Sequence, residues 1–187
     1  MPSRNVEIKA RATDFARQQQ LAEALSDSAP TRIVQEDTYF NVTSGRLKLR
    51  AFEDGTGELI HYERPDTPSP KESRYIQYEL PRPAALKEAL TRGLGIRAVV
   101  RKTRTLYMVG QTRIHFDEVE GLGRFIELEV VLRDSDSEAM GTEIAHNLMR
   151  QLMIQDDDLI AEGYLDLLDR RISEQSDRKS TRLNSSH

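Results

Sequence analysis

The chain has 187 residues, a length that suits one domain with a sizeable core and is short for two domains of ordinary size. Its 27 lysines and arginines stand against 31 aspartates and glutamates, and this balance argues against general nucleic-acid binding. The absence of cysteine excludes disulfides, thiolate zinc sites and cysteine nucleophiles. Because no apolar run reaches the ~18 residues of a membrane span, we expect a cytoplasmic protein with no membrane partner.

In the first half of the chain, charged and apolar residues alternate with the period of two that is typical of strands. Residues 6–11 alternate strictly and are predicted to form the first strand. Thr13 and Asp14 are predicted to cap a helix that runs to about Leu25. Further strands are predicted over residues 35–40, 47–52, 58–64 and 72–80, with a proline-rich loop at residues 65–70.

In the second half, a short helix is predicted over residues 83–92 and a strand over residues 98–109. Residues 113–119 and 124–132 are predicted to form a β-hairpin, because Gly121 and Gly123 can adopt the positive φ that such turns need. Ser135 and Glu138 have the spacing of a capping box and predict a helix that runs to about Met153. A last short helix is predicted to pass through Tyr164 and to end at Leu168.

We predict one domain over residues 1–172, followed by a disordered tail over residues 173–187. The end of the tail, D-R-K-S-T-R-L-N-S-S-H, has no periodicity. It resembles the conceptual translation of a widely used sequencing adapter, so we expect residues 177–187 to be an artefact.

Pairs of like charges two residues apart recur along the predicted strands. On any one strand a charged face is best interpreted as a solvated face. The whole set is less ordinary, because solvated faces usually mix signs to favour pairs across strands. The basic members are Lys9, Arg11, Lys48, Arg50, Lys102, Arg104 and Arg113, and the acidic members are Glu7, Asp117, Glu127 and Glu129.

Enclosing such a set inside a curved sheet would be costly without a ligand. Two like charges ~6.6 Å apart repel by roughly 2.5 kcal/mol at an effective dielectric constant of ~20. A polyanion could neutralise the lysines and arginines, and a divalent cation could neutralise the carboxylates. This combination is typical of a site for a triphosphate with Mg²⁺ or Mn²⁺.

Five stretches carry a more specific signal, namely N-V-E-I-K-A-R, R-L-K-L-R, V-R-K-T-R, D-E-V-E-G-L-G and F-I-E-L-E. In this order they resemble the CYTH superfamily, named for class IV adenylyl cyclases and thiamine triphosphatases and also called triphosphate tunnel metalloenzymes. The resemblance covers about residues 4–168. The N-terminal signature of the family is E-x-E-x-K, and here Asn5 stands at the first glutamate position, which leaves Glu7 and Lys9.

The resemblance implies an α+β fold with an antiparallel β-barrel, the triphosphate tunnel, and flanking helices. It also implies a catalytic centre of Lys9, Glu7 and Glu129, in which Lys9 positions or activates the nucleophile. The implied metal ligands for Mg²⁺ or Mn²⁺ are Glu7, Asp117, Glu127 and Glu129. The implied phosphate-binding residues are Lys9, Arg11, Lys48, Arg50, Arg64, Arg74, Lys102, Arg104 and Arg113.

Three functions stay open at this point. The first is metal-dependent hydrolysis of a triphosphate, either inorganic tripolyphosphate or a nucleoside or thiamine triphosphate. The second is a class IV adenylyl cyclase that converts ATP to cyclic AMP and pyrophosphate. The third is a non-catalytic sensor of polyphosphate or nucleotide. The expected partner in each case is a small molecule with a triphosphate group, without nucleic acid, and a homodimer is one option for assembly.

His115 allows two interpretations. It shares a predicted strand face with Arg113 and Asp117, so its imidazole could face the interior of a barrel. A hydrogen-bonded strand histidine is the more ordinary interpretation, because the histidines of this chain show no ligand spacing to one another.

Overall fold

The computed structural model describes residues 3–63 and 69–184, which form an antiparallel barrel with flanking helices. The strands are β1 Ser3–Arg11, β2 Thr31–Phe40, β3 Arg46–Phe52, β4 Gly57–Glu63, β5 Lys71–Leu80, β6 Ile96–Val109, β7 Thr112–Val119 and β8 Gly123–Leu132. The helices are α1 Phe15–Leu25, α2 Ala84–Leu94, α3 Glu138–Gln151 and α4 Tyr164–Asn184, with a short 3₁₀ turn at Asp156–Asp158.

The eight strands close into a ring in the order β1, β5, β4, β3, β2, β6, β7 and β8. Every neighbouring pair is antiparallel, and the ring closes because β1 pairs with β8 over residues 4–11 and 125–132. The first and last strands of the chain are therefore neighbours. The predicted antiparallel barrel with flanking helices is confirmed.

The main hydrophobic core lies outside the barrel wall, between the strands and the helices. The apolar residues of β1, such as Ile8, point outward and are almost fully buried. Together with Phe116 and Leu128 they pack against α1 and against Leu148 and Leu152 at the end of α3. Because successive side chains of a strand point to opposite faces, this packing directs the charged residues of the same strands into the barrel.

Gly141 allows α3 to lie close to the barrel wall. A methyl group at this position would come within 2.7 Å of Leu132 Cδ2 and 2.8 Å of Val6 Cγ2. Val6 belongs to β1 and Leu132 to β8, so the helix sits across the seam where the barrel closes. The absence of a side chain at residue 141 is thus needed for this packing.

Helix α4 begins at one end of the barrel. Tyr164, Leu165 and Leu167 are buried against Val100 and Phe125 from the strands. The ring of Tyr164 meets the ring of Phe125 edge to face at 5.1 Å. This end of the barrel is consequently filled by side chains of α4.

The helix boundaries differ from the prediction in two places. Asp14 caps α1 as predicted, with its Oδ1 accepting from the backbone N–H of Arg17. The predicted cap of α3 at Ser135 is wrong, because the Oγ of Ser137 accepts from the backbone N–H of Met140 and α3 begins two residues later. The helix also ends at Gln151 rather than Met153, which adopts a positive φ of 59°.

The largest difference concerns the end of the chain. The sequence predicts a last helix that ends at Leu168, whereas α4 continues through Asn184. Its continuation is held by local bonds, such as the one that Ser173 Oγ donates to the carbonyl of Asp169. In the part of the chain that the structure describes, no helix is long and apolar enough to cross a lipid bilayer.

Candidate functional site

The interior of the barrel holds a cavity of about 250 Å³ into which charged side chains project from most of the strands. The basic and acidic rows on the predicted strand faces do converge there, as the alternation predicted. Basic residues that line the cavity are Lys9, Lys48, Arg50, Lys102, Arg104 and Arg113, and acidic ones are Glu7, Glu58, Glu127 and Glu129.

One half of the basic lining is anchored by Asp37, which lies on β2 and is 1% exposed. Lys48 Nζ lies 2.8 Å from one oxygen of Asp37, and the guanidinium of Arg50 donates to both oxygens at 2.8 and 2.9 Å. Burial acts to raise the pKa of Asp37, but the charges of Arg50 and Lys48 outweigh it and hold this pKa well below its ordinary value. Asp37 is therefore a permanent anion that orients two cations.

The other half is anchored in the same way by Asp117, whose side chain is fully buried. Arg104 donates to both of its oxygens at 2.7 Å, Lys102 Nζ lies at 3.1 Å, and the Tyr164 hydroxyl donates at 2.7 Å. Burial opposes ionisation of Asp117, yet Arg104 and Lys102 keep its pKa below the ordinary value. The family resemblance implies a metal ligand at Asp117, but its oxygens are occupied by these donors. Asp117 does not line the cavity and instead holds the basic residues that do.

Burial acts to lower the pKa of both the lysines and the arginines, but only the lysines end below their ordinary values. Burial and the neighbouring charge of Arg50 lower the pKa of Lys48 to about 7, although Asp37 acts in the opposite direction. Burial and Arg104 likewise lower the pKa of Lys102. Arg104 keeps a pKa well above its ordinary value because the attraction of Asp117 outweighs its burial. The basic wall thus combines permanent guanidinium charges with ammonium groups that can lose their protons.

The acidic wall is formed where β1 meets β8. Lys9 is paired with Glu127 in the register, and Glu7 with Glu129. Lys9 Nζ lies 2.8 Å from Glu127 Oε1 and 3.8 Å from the centre of the Tyr164 ring. Burial would raise the pKa of Glu127, but Lys9 and Arg104 hold it well below its ordinary value, so this carboxylate stays ionised.

Glu129 is less firmly paired than Glu127. It accepts a hydrogen bond from Asn5 Nδ2 at 2.6 Å, and Arg113 Nε lies 3.5 Å from its other oxygen. Asn5 is 1% exposed, and its Oδ1 has no hydrogen-bond partner among the described residues. An amide oxygen buried without a donor is costly, and this one lies beside a carboxylate at the cavity wall.

His115 also lines the cavity, on the acidic side. Its Nδ1 is 3.6 Å from Glu127 Oε2 and its Nε2 is 4.0 Å from Glu129 Oε2. Both separations exceed hydrogen-bond length, and Nδ1 is buried without a partner in the described part of the chain. Burial and the charge of Arg104 lower the pKa of His115 and favour the neutral ring. Of the two interpretations of His115, the structure bears on the first, because the ring lines the cavity with Glu127 as the nearer of two carboxylates.

The donors on this wall suit a hard divalent cation. Carboxylate and amide oxygens are the ligands that Mg²⁺ and Mn²⁺ prefer, and Glu7, Glu129 and Asn5 Oδ1 supply them. Within the described ranges no three Asp, Glu or His side chains already form a group that could hold a metal ion. This is compatible with Mg²⁺, which commonly takes one or two carboxylates and completes its shell with water and substrate phosphates.

Two of the expected phosphate-binding residues do not line the cavity, and a third lies outside the described residues. Arg11 lies near the end of β1 with its guanidinium 5.4 Å from the centre of the Phe125 ring, and it does not line the cavity. Arg74 does not line the cavity, because β5 turns its side chain outward, where it is 69% exposed and bonds Glu72. Arg64 lies outside the described residues.

Sequence reasoning missed two residues that hold the basic wall in place, Asp37 and Tyr164. Asp37 stands alone between Gln35 and Tyr39 on its strand face, so no repeated charge drew attention to it. The one indication in the sequence was that Asp37 is the single charged residue on its face of the strand. Tyr164 was assigned to a helix without a role, and only the packing of α4 brings its hydroxyl to Asp117.

The fold and the site together define a closed antiparallel barrel whose interior is lined by a basic wall and by the acidic wall of β1 and β8. The chain belongs to the CYTH domain family, whose model matches residues 3–164. A relative from Methanocaldococcus jannaschii, named "Putative adenylate cyclase MJ0240", is 28% identical over 172 residues, which cover 87% of this chain and 97% of that protein.

Solved structures show the same barrel. The PH1012 protein of Pyrococcus horikoshii has a TM-score of 0.78 and 24% identity, covering 87% of this chain and 98% of that one. The Hippeastrum protein HpAC1 has a TM-score of 0.58 and 17% identity, covering 85% and 91% of the two chains. HpAC1 is described as a "Putative adenylyl cyclase" with a dominant triphosphatase activity.

Proposed function

We propose that this protein hydrolyses a triphosphate with the help of a divalent metal ion. The observation that carries the proposal is the opposition of two walls in one cavity. Lys48 with Arg50 and Lys102 with Arg104 form the basic wall, each pair held by one buried aspartate. The acidic wall, formed by β1 and β8, lines the same cavity.

The buried aspartates explain how a basic wall can persist without a ligand. Each lowers the cost of enclosing its two cations and fixes them in one orientation. A guanidinium has more donors than Asp37 or Asp117 can occupy, so Arg50 and Arg104 can still bind phosphate oxygens. The phosphate group therefore meets a site that is already arranged, and this is the preorganisation that phosphoryl transfer requires.

On the acidic side, Glu7 and Glu129 with Asn5 Oδ1 would hold the metal ion. When bound, the ion neutralises negative charge on the phosphate oxygens and on the leaving group. Lys9 lies at the border of the two walls and is held by ionised Glu127, where its ammonium can orient the attacking water. Attack of water on the terminal phosphorus forms one P–O bond, breaks the bridging P–O bond and releases orthophosphate.

Product analysis with a small panel of triphosphates tests this proposal. The purified protein is incubated with Mg²⁺ or Mn²⁺ and with tripolyphosphate, ATP or thiamine triphosphate in turn. Released orthophosphate that depends on the metal is the expected result. Glu129→Gln should abolish the release, while Glu118→Gln, which alters an exposed carboxylate on the outer face of β7, should leave it unchanged.

The second candidate is a class IV adenylyl cyclase. It is favoured by the name of the M. jannaschii relative, and by Tyr62 and Tyr75, whose side chains line the cavity and offer aromatic faces to a base. In that case ATP gives cyclic AMP and pyrophosphate instead of orthophosphate. Saturable binding without any product would instead indicate a sensor, for which the amide of Asn5 in place of a carboxylate is the observation in favour.

A further inference from the structure

His115 is a poorly satisfied imidazole in the wall of the cavity. The residue is 6% exposed, so water reaches little of it. Its Nδ1 is fully buried and has no hydrogen-bond partner among the described residues. The nearest carboxylate oxygen to Nδ1 is Glu127 Oε2 at 3.6 Å, which favours a proton on Nδ1 and leaves the lone pair of Nε2 for another ligand.

The surroundings of the ring indicate what Nε2 could bind. Glu127 lies on the side of Nδ1 and Glu129 on the side of Nε2, and Arg104 is the cation that acts most strongly on the ring. Glu127 is occupied by Lys9 and Arg104, whereas Glu129 has a long contact to Arg113 and one amide donor. The carboxylate available to a new ligand is therefore Glu129.

The spacing of His115 and Glu129 matches two ligands of one ion. First-row divalent ions bind nitrogen and carboxylate oxygen at ~2.1 Å, so two ligands of one ion lie roughly 3–4.2 Å apart. His115 Nε2 and Glu129 Oε2 are 4.0 Å apart, too far for a hydrogen bond and within this interval. Asn5 Oδ1, buried and without a partner among the described residues, belongs to the side chain that contacts the same carboxylate.

We propose that His115 is a nitrogen ligand of the metal ion bound at Glu129, and that it makes the site select Mn²⁺ over Mg²⁺. The proposal rests on the function proposed above for this cavity and specifies its metal chemistry. Mg²⁺ favours an all-oxygen shell, whereas an imidazole ligand suits Mn²⁺ and later first-row ions. A site with one imidazole and neighbouring oxygens should therefore discriminate between the two ions before any phosphate is present.

The test uses the full-length protein without an affinity tag and Mn²⁺ alone. Binding is followed by loss of the free Mn²⁺ signal in electron paramagnetic resonance, and Mg²⁺ is then added as competitor. We expect Mn²⁺ to bind at least about tenfold more tightly than Mg²⁺. Pulsed measurements on the Mn²⁺-loaded protein should show hyperfine coupling to a directly bound ¹⁴N nucleus.

His115→Phe keeps a planar ring and removes both nitrogens, so it should lose the ¹⁴N coupling and at least about tenfold in Mn²⁺ affinity. Mg²⁺ affinity should change by less than about threefold, since oxygen ligands remain. If His115→Phe does not fold, His115→Asn serves in its place, with folding checked by urea denaturation. His146→Asn is the matched control, because His146 is exposed on α3, and both measurements should equal those of the wild type.

The outcomes separate this proposal from the proposed function. Absence of ¹⁴N coupling in the wild type, no Mn²⁺ binding at millimolar concentration, or unchanged selectivity in the variant would each overturn the role of His115. Orthophosphate release could still occur in any of these cases, and it would support the proposed hydrolysis without a role for His115 as a metal ligand. Nitrogen coupling and Mn²⁺ selectivity without turnover of any triphosphate would instead support His115 as a metal ligand and refute the proposed hydrolysis.

Discussion

At the scale of single residues, Asp37 and Asp117 have the largest effect on the interior of the barrel. Each is a buried carboxylate that contacts a lysine and an arginine two residues apart on one strand. Without it, the two cations would repel each other in an enclosed space. The ionised aspartate converts a costly pair of like charges into a satisfied triad, and this is why the basic wall can form before substrate binds.

We predict that Asp117→Asn destabilises the protein by about 3–5 kcal/mol, because it removes the buried anion that Lys102 and Arg104 share and leaves Arg104 with Glu127 as its remaining carboxylate partner. The free energy of unfolding is measured by urea denaturation in the absence of phosphate. Glu118→Gln, at the next position and exposed, should change this free energy by less than about 0.5 kcal/mol. Equal stability of Asp117→Asn and the wild type would refute the anchoring role.

Lys48 should give the stability of the protein a recognisable pH dependence. Its pKa is about 7 in the folded protein and near the ordinary value of 10.5 in the unfolded chain. Between these values the unfolded chain binds one more proton than the folded protein at this residue, so stability rises with pH. The slope from Lys48 is at most about 1.4 kcal/mol per pH unit.

We therefore predict that the free energy of unfolding of the ligand-free protein rises more steeply from pH 7.5 to 9.5 in the wild type than in Lys48→Met. The comparison isolates Lys48, because Lys102, whose pKa is also lowered, titrates in both proteins. Urea denaturation at several pH values measures both curves. Parallel curves would show that Lys48 keeps its proton in the folded state.

At the scale of elements, the outer face of the barrel depends on how closely α3 approaches it. Gly141 lies where the helix crosses Val6 and Leu132. Gly93 lies near the end of α2, where an added methyl group would have no other atom within 4 Å. Glycine lowers helix stability by roughly 0.5–1 kcal/mol relative to alanine at either site. The two glycines therefore separate helix propensity from packing.

We predict opposite effects for alanine at these positions. Gly93→Ala should stabilise the protein by up to about 1 kcal/mol. Gly141→Ala should destabilise it by roughly 1–3 kcal/mol, because the clash with Val6 and Leu132 outweighs the gain in propensity. Thermal or urea denaturation measures both, and a stabilising Gly141→Ala would show that α3 can move away from the wall at little cost.

At the scale of the whole molecule, the barrel separates two kinds of interior. The apolar core lies between the wall and helices α1 and α3, and the polar interior lies inside the wall. Internal ion pairs balance the charges of the cavity in the ligand-free state. In the proposed function, a triphosphate with its metal ion would replace part of this internal pairing, since the ligand brings both negative and positive charge.

We predict that tripolyphosphate together with Mn²⁺ stabilises the folded protein by about 2.7 kcal/mol when the free ligand is at ~100 times its dissociation constant. The free energy of unfolding is measured with and without both components. Arg50→Met should reduce this stabilisation, because it removes a guanidinium from the cavity wall. No stabilisation of the wild type at millimolar ligand would count against a triphosphate site of any kind.

The sequence by itself determined the eight strands and the faces of their charged residues, because alternation along a strand is a local property of the backbone. It therefore placed residues such as Lys48, Arg104 and Glu129 on the polar face correctly. It could not assign a role to Asp37 or Tyr164, and the phosphate-binding role expected for Arg74 does not match its place on the outer face of β5. These depend on which strands are neighbours and on where α4 packs.

Only the tertiary structure decided that β1 and β8 are adjacent, and this adjacency brings Glu7 beside Glu129 from opposite ends of the chain. It also decided that Asp117 lies beneath the site and that, among the described residues, His115 Nδ1 has no partner although Glu129 is close to the ring. The physical reason is that ion pairing and burial act between strands distant in sequence. Their energies depend on distance and on exclusion of water, which exist only once the ring of strands has closed.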